Sequence, residues 1–190
     1  MNRWIPAAAL AAFVAFAGCS NPNDIADASL SNEVDTVTIY SQTYGSVSQP
    51  SAYSITSRAP VRTWEAGINF EFVFDVDADN RPVLLPVELF NVLPEGAFQP
   101  GLRRPAASTT FSEMTKAPLN GYITEDTIPV AAGDLFFVRT TVSYCSILRV
   151  PLYAKLHVIA IDTAAKTLQM EVVANQNCGY RSLTLGIPKS

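Results

Sequence analysis

Residues 68–76 read Ile-Asn-Phe-Glu-Phe-Val-Phe-Asp-Val, and this stretch decides the fold class. Apolar side chains recur along it with a period of two, which is the pattern of a strand buried on one face. One face carries Ile68, Phe70, Phe72, Phe74 and Val76, and the other carries Asn69, Glu71 and Asp75. The stretch therefore predicts a half-buried β-strand whose core face is mostly aromatic.

Strand signals recur at short intervals on both sides of this stretch. Alternating or β-branched residues bounded by turn residues predict further strands at 34–40, 53–56, 83–93, 135–142, 147–161, 167–174 and 181–187. Pro86 suggests that 83–93 is an edge strand. Along 147–161, interrupted by Pro151, the more polar face carries Tyr153, Lys155, His157, Ile159 and Ile161, and the apolar face carries Leu152, Ala154, Leu156, Val158 and Ala160.

Helical signals are confined to residues 108–117. Thr110 and Glu113 fit a capping box there, and Pro118 ends the segment. Residues 94–107, rich in proline and glycine, predict a surface loop. About eight strands and at most one short helix predict an all-β fold. The expected architecture is an antiparallel β-sandwich, immunoglobulin-like or related, with a β-barrel as the alternative.

The chain begins with the features of an export signal. Arg3 precedes an apolar run of 14 residues from Trp4 to Ala17. This run suits a signal peptide and falls short of the roughly 20 residues that a membrane-spanning helix needs. It ends in the sequence Phe16-Ala17-Gly18-Cys19-Ser20. This ending resembles the lipobox of bacterial lipoproteins, in which an apolar residue and two small residues precede a cysteine.

The resemblance implies a mature protein that is attached to a membrane by lipid. Residues 1–18 would be removed as a lipoprotein signal peptide, and Cys19 would carry acyl chains such as palmitate, which give a stable anchor. Ser20 resembles the outer-membrane class in a host with two membranes, where the protein would face the periplasm or the cell exterior. Residues 19–33 are then the lipidated cysteine and a flexible tether, and 34–190 form a single domain.

The charge balance argues against a nucleic-acid partner. The precursor has 13 basic and 17 acidic residues, and removal of Arg3 leaves a net charge of −5. Nucleic-acid binders usually carry a basic patch, and the nearest equivalent in the sequence is the pair Arg103-Arg104. The same net charge predicts weak repulsion from anionic membrane surfaces, so that attachment depends on the lipid.

Two cysteines remain once the lipid takes Cys19. Cys145 and Cys178 form an even pair in an oxidising compartment, which predicts a disulfide. The hairpin register leaves Cys145 about six residues further from the turn than Cys178, whereas a bridge needs Cα atoms within about 7 Å. A bulge at Pro151 or a return of the loop at Tyr144 would have to absorb this difference. A redox pair is the weaker alternative, because the spacing is not Cys-x-x-Cys.

The sequence carries no complete catalytic or metal motif. His157 is the single histidine and is interpreted as a strand residue, because zinc sites and Ser-His-Asp mechanisms need further partners. Asp75, Asp77 and Asp79 resemble the start of a calcium loop, although Asn80 stands where glycine belongs. An acidic hairpin turn is the preferred interpretation, and a weak Ca²⁺ site is the alternative. No other cofactor is expected.

One segment has the composition of a recognition surface. Tyr40, Tyr44, Tyr53 and Trp64 lie in or beside a loop rich in Ser, Gln and Gly. Such loops contribute flat rings and hydrogen-bonding amides to a glycan or a protein partner. The alternative is that these rings only cap the end of the sandwich.

The leading prediction is therefore a non-enzymatic, lipid-anchored envelope protein that binds a partner or assists envelope assembly. A carbohydrate-binding module that uses the tyrosine-rich loop is the first alternative. A carboxylate-based hydrolase is the second, although no spacing among the 17 acidic residues selects a pair.

Overall fold

A computed structural model describes residues 27–67, 69–90, 99–141, 145 and 149–189, arranged as two antiparallel sheets of five strands each. In spatial order the first sheet contains β1 (Val34–Tyr40), β10 (Thr167–Asn175), β9 (Tyr153–Asp162), β8 (Leu135–Arg139) and β6 (Gly101–Arg103). The second contains β3 (Ala59–Val61), β2 (Ala52–Ser54), β4 (Phe72–Val76), β5 (Pro82–Pro86) and β7 (Ile128–Pro129). The predicted all-β sandwich is confirmed, and the sheets do not close into the alternative barrel.

The main core lies between the two sheets. Phe72 and Phe74 of β4 face Phe136 of β8 and Leu156 of β9 there, all fully buried. The predicted alternation holds from 72 to 76 but not earlier in the quoted stretch. Phe70 is buried on the outer face of the second sheet, in a separate cluster with Ala52, Val73 and Val87. The chain bends at residue 71 before β4 begins, which breaks the period of two; Ile68 lies outside the described residues.

A β-bulge corrects the predicted faces of β9. Val158 pairs with Met170, but the next pair joins Ala160 to Gln169, so that Ile159 is an extra residue. An extra residue reverses the alternation beyond it. Ile161 consequently packs against the core and Ala160 is exposed, contrary to the face assignment from sequence.

A third layer covers the outer face of the first sheet. Tyr153 and Lys155, predicted on the polar face of β9, are buried beneath it. The cover comes from residues 104–123 and from the C-terminal segment 181–187. Its apolar contacts with the sheet join Met114, Ala117 and Leu183 to Phe137 and Tyr153.

The helix predicted at 108–117 is absent. Its capping contacts do form, since the Glu113 carboxylate accepts hydrogen bonds from the Thr110 amide and hydroxyl, each at 2.7 Å. The chain then becomes extended, because Lys116 pairs with Ser182 in an isolated bridge. Leu183 also donates its amide proton to the Thr115 carbonyl at 2.7 Å. Residues 181–187, predicted as a strand, make only such isolated bridges.

The helical residues of the described chain are the α-helix α1 (Thr63–Ala66) and a 3₁₀ turn (Val87–Phe90).

Two further boundaries differ from prediction around the second sheet. The strand predicted at 83–93 ends at Pro86 and continues as the 3₁₀ turn, and 91–93 lie outside the described residues. It is not an edge strand, because β5 pairs with β4 on one side and β7 on the other. Within the predicted loop 94–107, residues 101–103 form β6, while 94–98 lie outside the described residues.

Residues 28–33, which the sequence assigns to the tether, contact the folded domain. The Asn177 side chain accepts hydrogen bonds from the amides of Ser29 and Leu30 at 2.9 and 3.0 Å. Asn32 is buried and pairs with Gly186 through two backbone hydrogen bonds of 2.9 Å. The chain is therefore fixed to the C-terminal segment before β1 begins.

The direction of β1 defines two ends of the sandwich. Val34 follows the fixed N-terminal residues at what we call the tether end, where Asn175, Arg139 and the β2–β3 turn also lie. Tyr40 leads into the loop 41–50 at the opposite end. Seven residues of strand separate the two ends by about 20 Å.

Candidate functional site

The two exposed aromatic side chains of the described residues, Tyr44 and Trp64, lie with Val47 at the end of the sandwich opposite the tether end. We call this surface the aromatic end; it consists of the loop 41–50, residues 62–65 and the turns 77–81 and 162–166. Tyr44, Val47 and Trp64 are 57%, 82% and 67% exposed there. Large apolar groups at such exposure are a common mark of recognition surfaces.

The loop 41–50 is held to the second sheet by Asp75. Its carboxylate accepts hydrogen bonds from the Ser41 hydroxyl at 2.5 Å, the Thr43 amide at 3.0 Å and the Thr43 hydroxyl at 2.6 Å. The Gln42 amide also donates to the Phe74 carbonyl at 3.0 Å. The residue predicted as the first calcium ligand is thus engaged in positioning this loop.

The other two carboxylates of the candidate calcium loop are engaged within their own turn. Asp77 accepts hydrogen bonds from the amides of Asp79 and Arg81 and from Arg81 Nε, at 2.8–3.0 Å. These bonds, above all the one from the Arg81 amide, lower the pKa of Asp77. Asp79 forms its own ion pair with Arg81 at 2.9 Å. This arrangement favours the acidic hairpin turn, and the described residues include no cluster of three or more metal-ligating side chains.

Gly45 makes the fold of the loop 41–50 possible. Its amide donates to the Ser41 carbonyl at 2.8 Å, which closes a tight turn. A Cβ at position 45 would lie 2.5 Å from the same carbonyl oxygen, closer than carbon and oxygen can approach. In the second half of the loop, the Gln49 side chain accepts a hydrogen bond from the Ser46 backbone amide at 2.8 Å. The loop therefore presents its exposed side chains from a defined backbone.

Trp64 contacts the loop 41–50. Its indole Nε1 donates to the Val47 carbonyl at 3.0 Å, and the Arg62 guanidinium lies 5.4 Å from the ring centroid. Arg62 also forms an ion pair with Glu65. A groove of about 430 Å³ runs beside the indole, lined by Ser41, Gln42, Ser46, Val47, Gln49, Ser51, Arg62, Thr63 and Trp64. It combines one exposed ring with several hydroxyl and amide groups.

The four predicted binding aromatics do not form one surface. Tyr44 and Trp64 are exposed at the aromatic end, and the Lys166 ammonium lies 5.3 Å from the Tyr44 ring. Tyr40 is half-buried. Tyr53 is 1% exposed and packs in the core 6.2 Å from Phe72, because β2 is an inner strand that turns this side chain towards the first sheet. Tyr53 is therefore not a surface binding residue.

The structure contains the predicted disulfide between Cys145 and Cys178, with Cα atoms 5.7 Å apart. The register difference is absorbed by the connection between β8 and β9. The strand predicted from 147 begins only at Tyr153, while Thr140 already donates its amide proton to the Leu152 carbonyl at 3.0 Å. Thr140 and Leu152 therefore lie side by side, which agrees with the alternative of a returning loop; residues 142–144 and 146–148 lie outside the described residues.

His157 lies on β9 as predicted, and its ring contacts Glu171 and Phe111 among the described residues. Its Nδ1 is 3.4 Å from Glu171 Oε2, and its ring centroid is 5.9 Å from that of Phe111. Each of the main grooves within the described residues is lined by at most one carboxylate.

As with Tyr153 and Lys155, sequence patterning misplaced Glu71. It was expected on the polar face of its strand, yet it is 3% exposed, and its carboxylate accepts a hydrogen bond from the Ile55 amide at 2.7 Å. Burial raises its pKa to about 8. Burial also raises the pKa of Tyr53, and the negative charges of Asp35 and Glu71 raise it further. The Tyr53 hydroxyl has no hydrogen-bond partner among the described residues. This pair lies in the packed interior, away from the grooves.

The residues that would carry the anchor, including Cys19, lie outside the described part of the chain. The helices that the structure does describe are too short to traverse a bilayer. Comparisons with protein-family models, with curated proteins and with solved structures found no match, so the aromatic end is interpreted from its own geometry.

Proposed function

We propose that the protein is a lipid-anchored, non-enzymatic binding protein of the bacterial cell envelope. The lipobox-like sequence ending in Cys19 supports the anchor, and Ser20 favours the outer membrane where the host has two membranes. The Cys145–Cys178 disulfide fits an oxidising compartment. No nucleic acid is expected among its partners.

The observation that carries this proposal is the separation of the two ends. The chain enters the domain at the tether end, and the aromatic end lies about 20 Å away along β1. A domain anchored in this way directs Tyr44, Val47 and Trp64 away from the membrane. Exposed apolar groups on a surface held towards the surroundings suit the capture of an envelope partner.

Anchoring is tested by expression of the wild-type chain and a Cys19→Ser variant in a bacterial host supplied with labelled palmitate. The wild type is expected to incorporate label and to sediment with membranes. The variant is expected to do neither, because its side chain offers no sulfur for the lipid. Unlabelled wild-type protein that remains soluble with residues 1–18 intact would contradict the anchor.

A second candidate function is glycan binding at the groove beside Trp64. The observation that favours it is the exposed indole next to Gln42, Ser46 and Thr63, since sugars stack on flat rings and hydrogen-bond to amides and hydroxyls. On a glycan array, Trp64→Ala and Tyr44→Ala are expected to lose binding. Leu89→Ala is the matched control, because Leu89 is also exposed but follows β5 near the tether end.

Equal glycan signals from Trp64→Ala and the wild type would exclude this groove as a sugar site. Binding of an envelope protein that depends on the same side chains would instead leave the leading proposal in place. The hydrolase alternative has no supporting observation among the described residues.

A further inference from the structure

We propose that the tether end docks on the phosphate headgroups of the anionic phospholipid bilayer that holds the anchor. This inference rests on the proposed envelope anchoring. It assigns a second surface to the domain, distinct from the aromatic end. It also revises the expectation from net charge, which predicts weak repulsion from an anionic membrane.

The cations of this acidic domain that make no ion pair are concentrated at one end. Ion pairs with carboxylates engage four of its arginines, namely Arg58, Arg62, Arg81 and Arg104. Seven other cations make no ion pair within the described residues: Lys155, which is buried, Lys166, which lies at the aromatic end, and Arg103, Lys116, Arg149, Arg181 and Lys189. The last five lie at the tether end, where they border two adjoining grooves and the loop 117–122.

Backbone carbonyls hold two of these guanidinium groups in place without neutralising them. Arg181 Nη1 donates to the Ala117 carbonyl at 3.0 Å, and Arg103 Nη1 donates to the Asn120 carbonyl. A carbonyl contributes only a partial charge, so these two guanidinium groups keep most of their positive charge.

One groove at the tether end has the chemistry of a phosphate site. It encloses about 640 Å³, and Lys116, Arg181 and Lys189 line it together with the hydroxyls of Thr115, Ser182 and Thr184. Cationic groups and hydroxyl donors together suit phosphate oxygens. One carboxylate, Asp27, lines the same groove at the point where the tether leaves the domain.

Exposed aliphatic side chains surround these cations. Leu185 and Ile187 are 62% and 59% exposed, and Leu119 is 56% exposed. The bridge between Asn32 and Gly186 places Leu185 and Ile187 beside the first residues after the tether. Cations interleaved with aliphatic groups are typical of surfaces that lie in the headgroup region of a bilayer.

The length of the tether keeps this surface close to the bilayer. Seven residues separate Cys19 from Asp27, and the eight Cα-to-Cα steps between them span about 28 Å at most in a fully extended chain. A short link raises the effective concentration of the surface at the membrane, so that weak headgroup contacts suffice. Glu33 and Asp35, the next acidic side chains along the chain after Asp27, are both within ion-pair distance of Arg58.

The test uses the full lipidated protein in vesicles of phosphatidylcholine alone and in vesicles that also contain phosphatidylglycerol. Hydrogen exchange is followed by mass spectrometry. Residues 115–121 and 181–187 are expected to exchange more slowly in the anionic vesicles. This protection is expected to disappear at about 1 M salt, where the Debye length falls to about 3 Å.

A charge variant and a matched control test the assignment to this surface. The double variant Lys116→Gln, Lys189→Gln is expected to weaken docking by about 30-fold. Each lysine near an anionic surface contributes about the same binding free energy, and the variant loses two such contributions. Arg81→Gln with Lys166→Gln removes the same charge from the aromatic end and is expected to leave the protection unchanged.

Two failures are distinguishable. Wild-type protein that does not remain on neutral vesicles contradicts the anchor, and with it the docking that depends on it. Protein that stays on both vesicle types with equal exchange at residues 115–121 and 181–187 overturns the docking alone. The docking would also be overturned if both double variants reduced the protection from hydrogen exchange to the same extent.

Discussion

At the scale of single residues, side chains from distant parts of the sequence decide what a local motif becomes. Asp75 resembles a calcium ligand when it is considered with Asp77 and Asp79. In the structure its carboxylate accepts hydrogen bonds from Ser41 and Thr43, which lie more than thirty positions earlier in the sequence. Glu71 shows the same limit, because its alternation with apolar neighbours predicts exposure and yet it is buried. No pattern within the stretch 68–76 reveals either partner.

Burial of Glu71 predicts an unusual dependence of stability on pH. Its pKa is about 8 in the folded protein and close to its ordinary value of 4.5 in the unfolded chain. The folded state therefore holds a proton that the unfolded state has released between these two values. The contribution of Glu71 to the free energy of unfolding is complete below pH 4.5 and is lost as the pH rises towards 8.

Glu71→Gln is expected to remove this dependence, because a neutral amide can still accept from the Ile55 amide. The variant should exceed the wild type in stability at pH 8 by a few kcal/mol and match it more closely at pH 5. Urea denaturation at the two pH values measures the difference. Glu125→Gln, at an exposed site, is the control. Parallel pH profiles for Glu71→Gln and the wild type would contradict the argument.

At the scale of elements, regular alternation was the reliable signal. The limits of β1 agree with prediction, and β10 extends only one residue beyond it, since both strands pair along their whole length. Prediction failed at the segments 108–117 and 181–187, which stabilise each other across the outer face of the first sheet. Neither segment has a regular partner of its own, so neither sequence pattern describes its conformation.

This outer layer contributes to stability through Leu183. The side chain is fully buried against Met114, Phe137 and Tyr153, so Leu183→Ala is expected to lower the free energy of unfolding by about 2–5 kcal/mol. Leu185→Ala is a matched control two residues away, because Leu185 is 62% exposed, and its effect should stay within about 0.5 kcal/mol. Denaturant titration compares the two. Similar losses for both variants would show that the layer is not packed as described.

At the scale of the whole molecule, the disulfide joins the β8–β9 connection to the chain that leaves β10. The two cysteines are 33 positions apart, and closure of such a loop restricts the unfolded chain. A Cys145→Ala, Cys178→Ala double variant is expected to lose about 3–4 kcal/mol. The measurement compares its denaturation with that of oxidised and reduced wild-type protein. Reduced wild type should resemble the variant, and a midpoint that reduction does not change would contradict the prediction.

The position of β1 has a mechanical consequence. If a partner held at Tyr44 and Trp64 drifts away from the cell while the lipid stays in the bilayer, tension runs lengthwise through this strand. All seven of its residues pair antiparallel with β10, from Val34 opposite Val173 to Tyr40 opposite Thr167. Load that passes from β1 into the rest of the domain, as a pull at Trp64 requires, is then shared by the whole ladder in shear, rather than opening one hydrogen bond at a time. An anchored domain built in this way can withstand pulling while it holds its cargo.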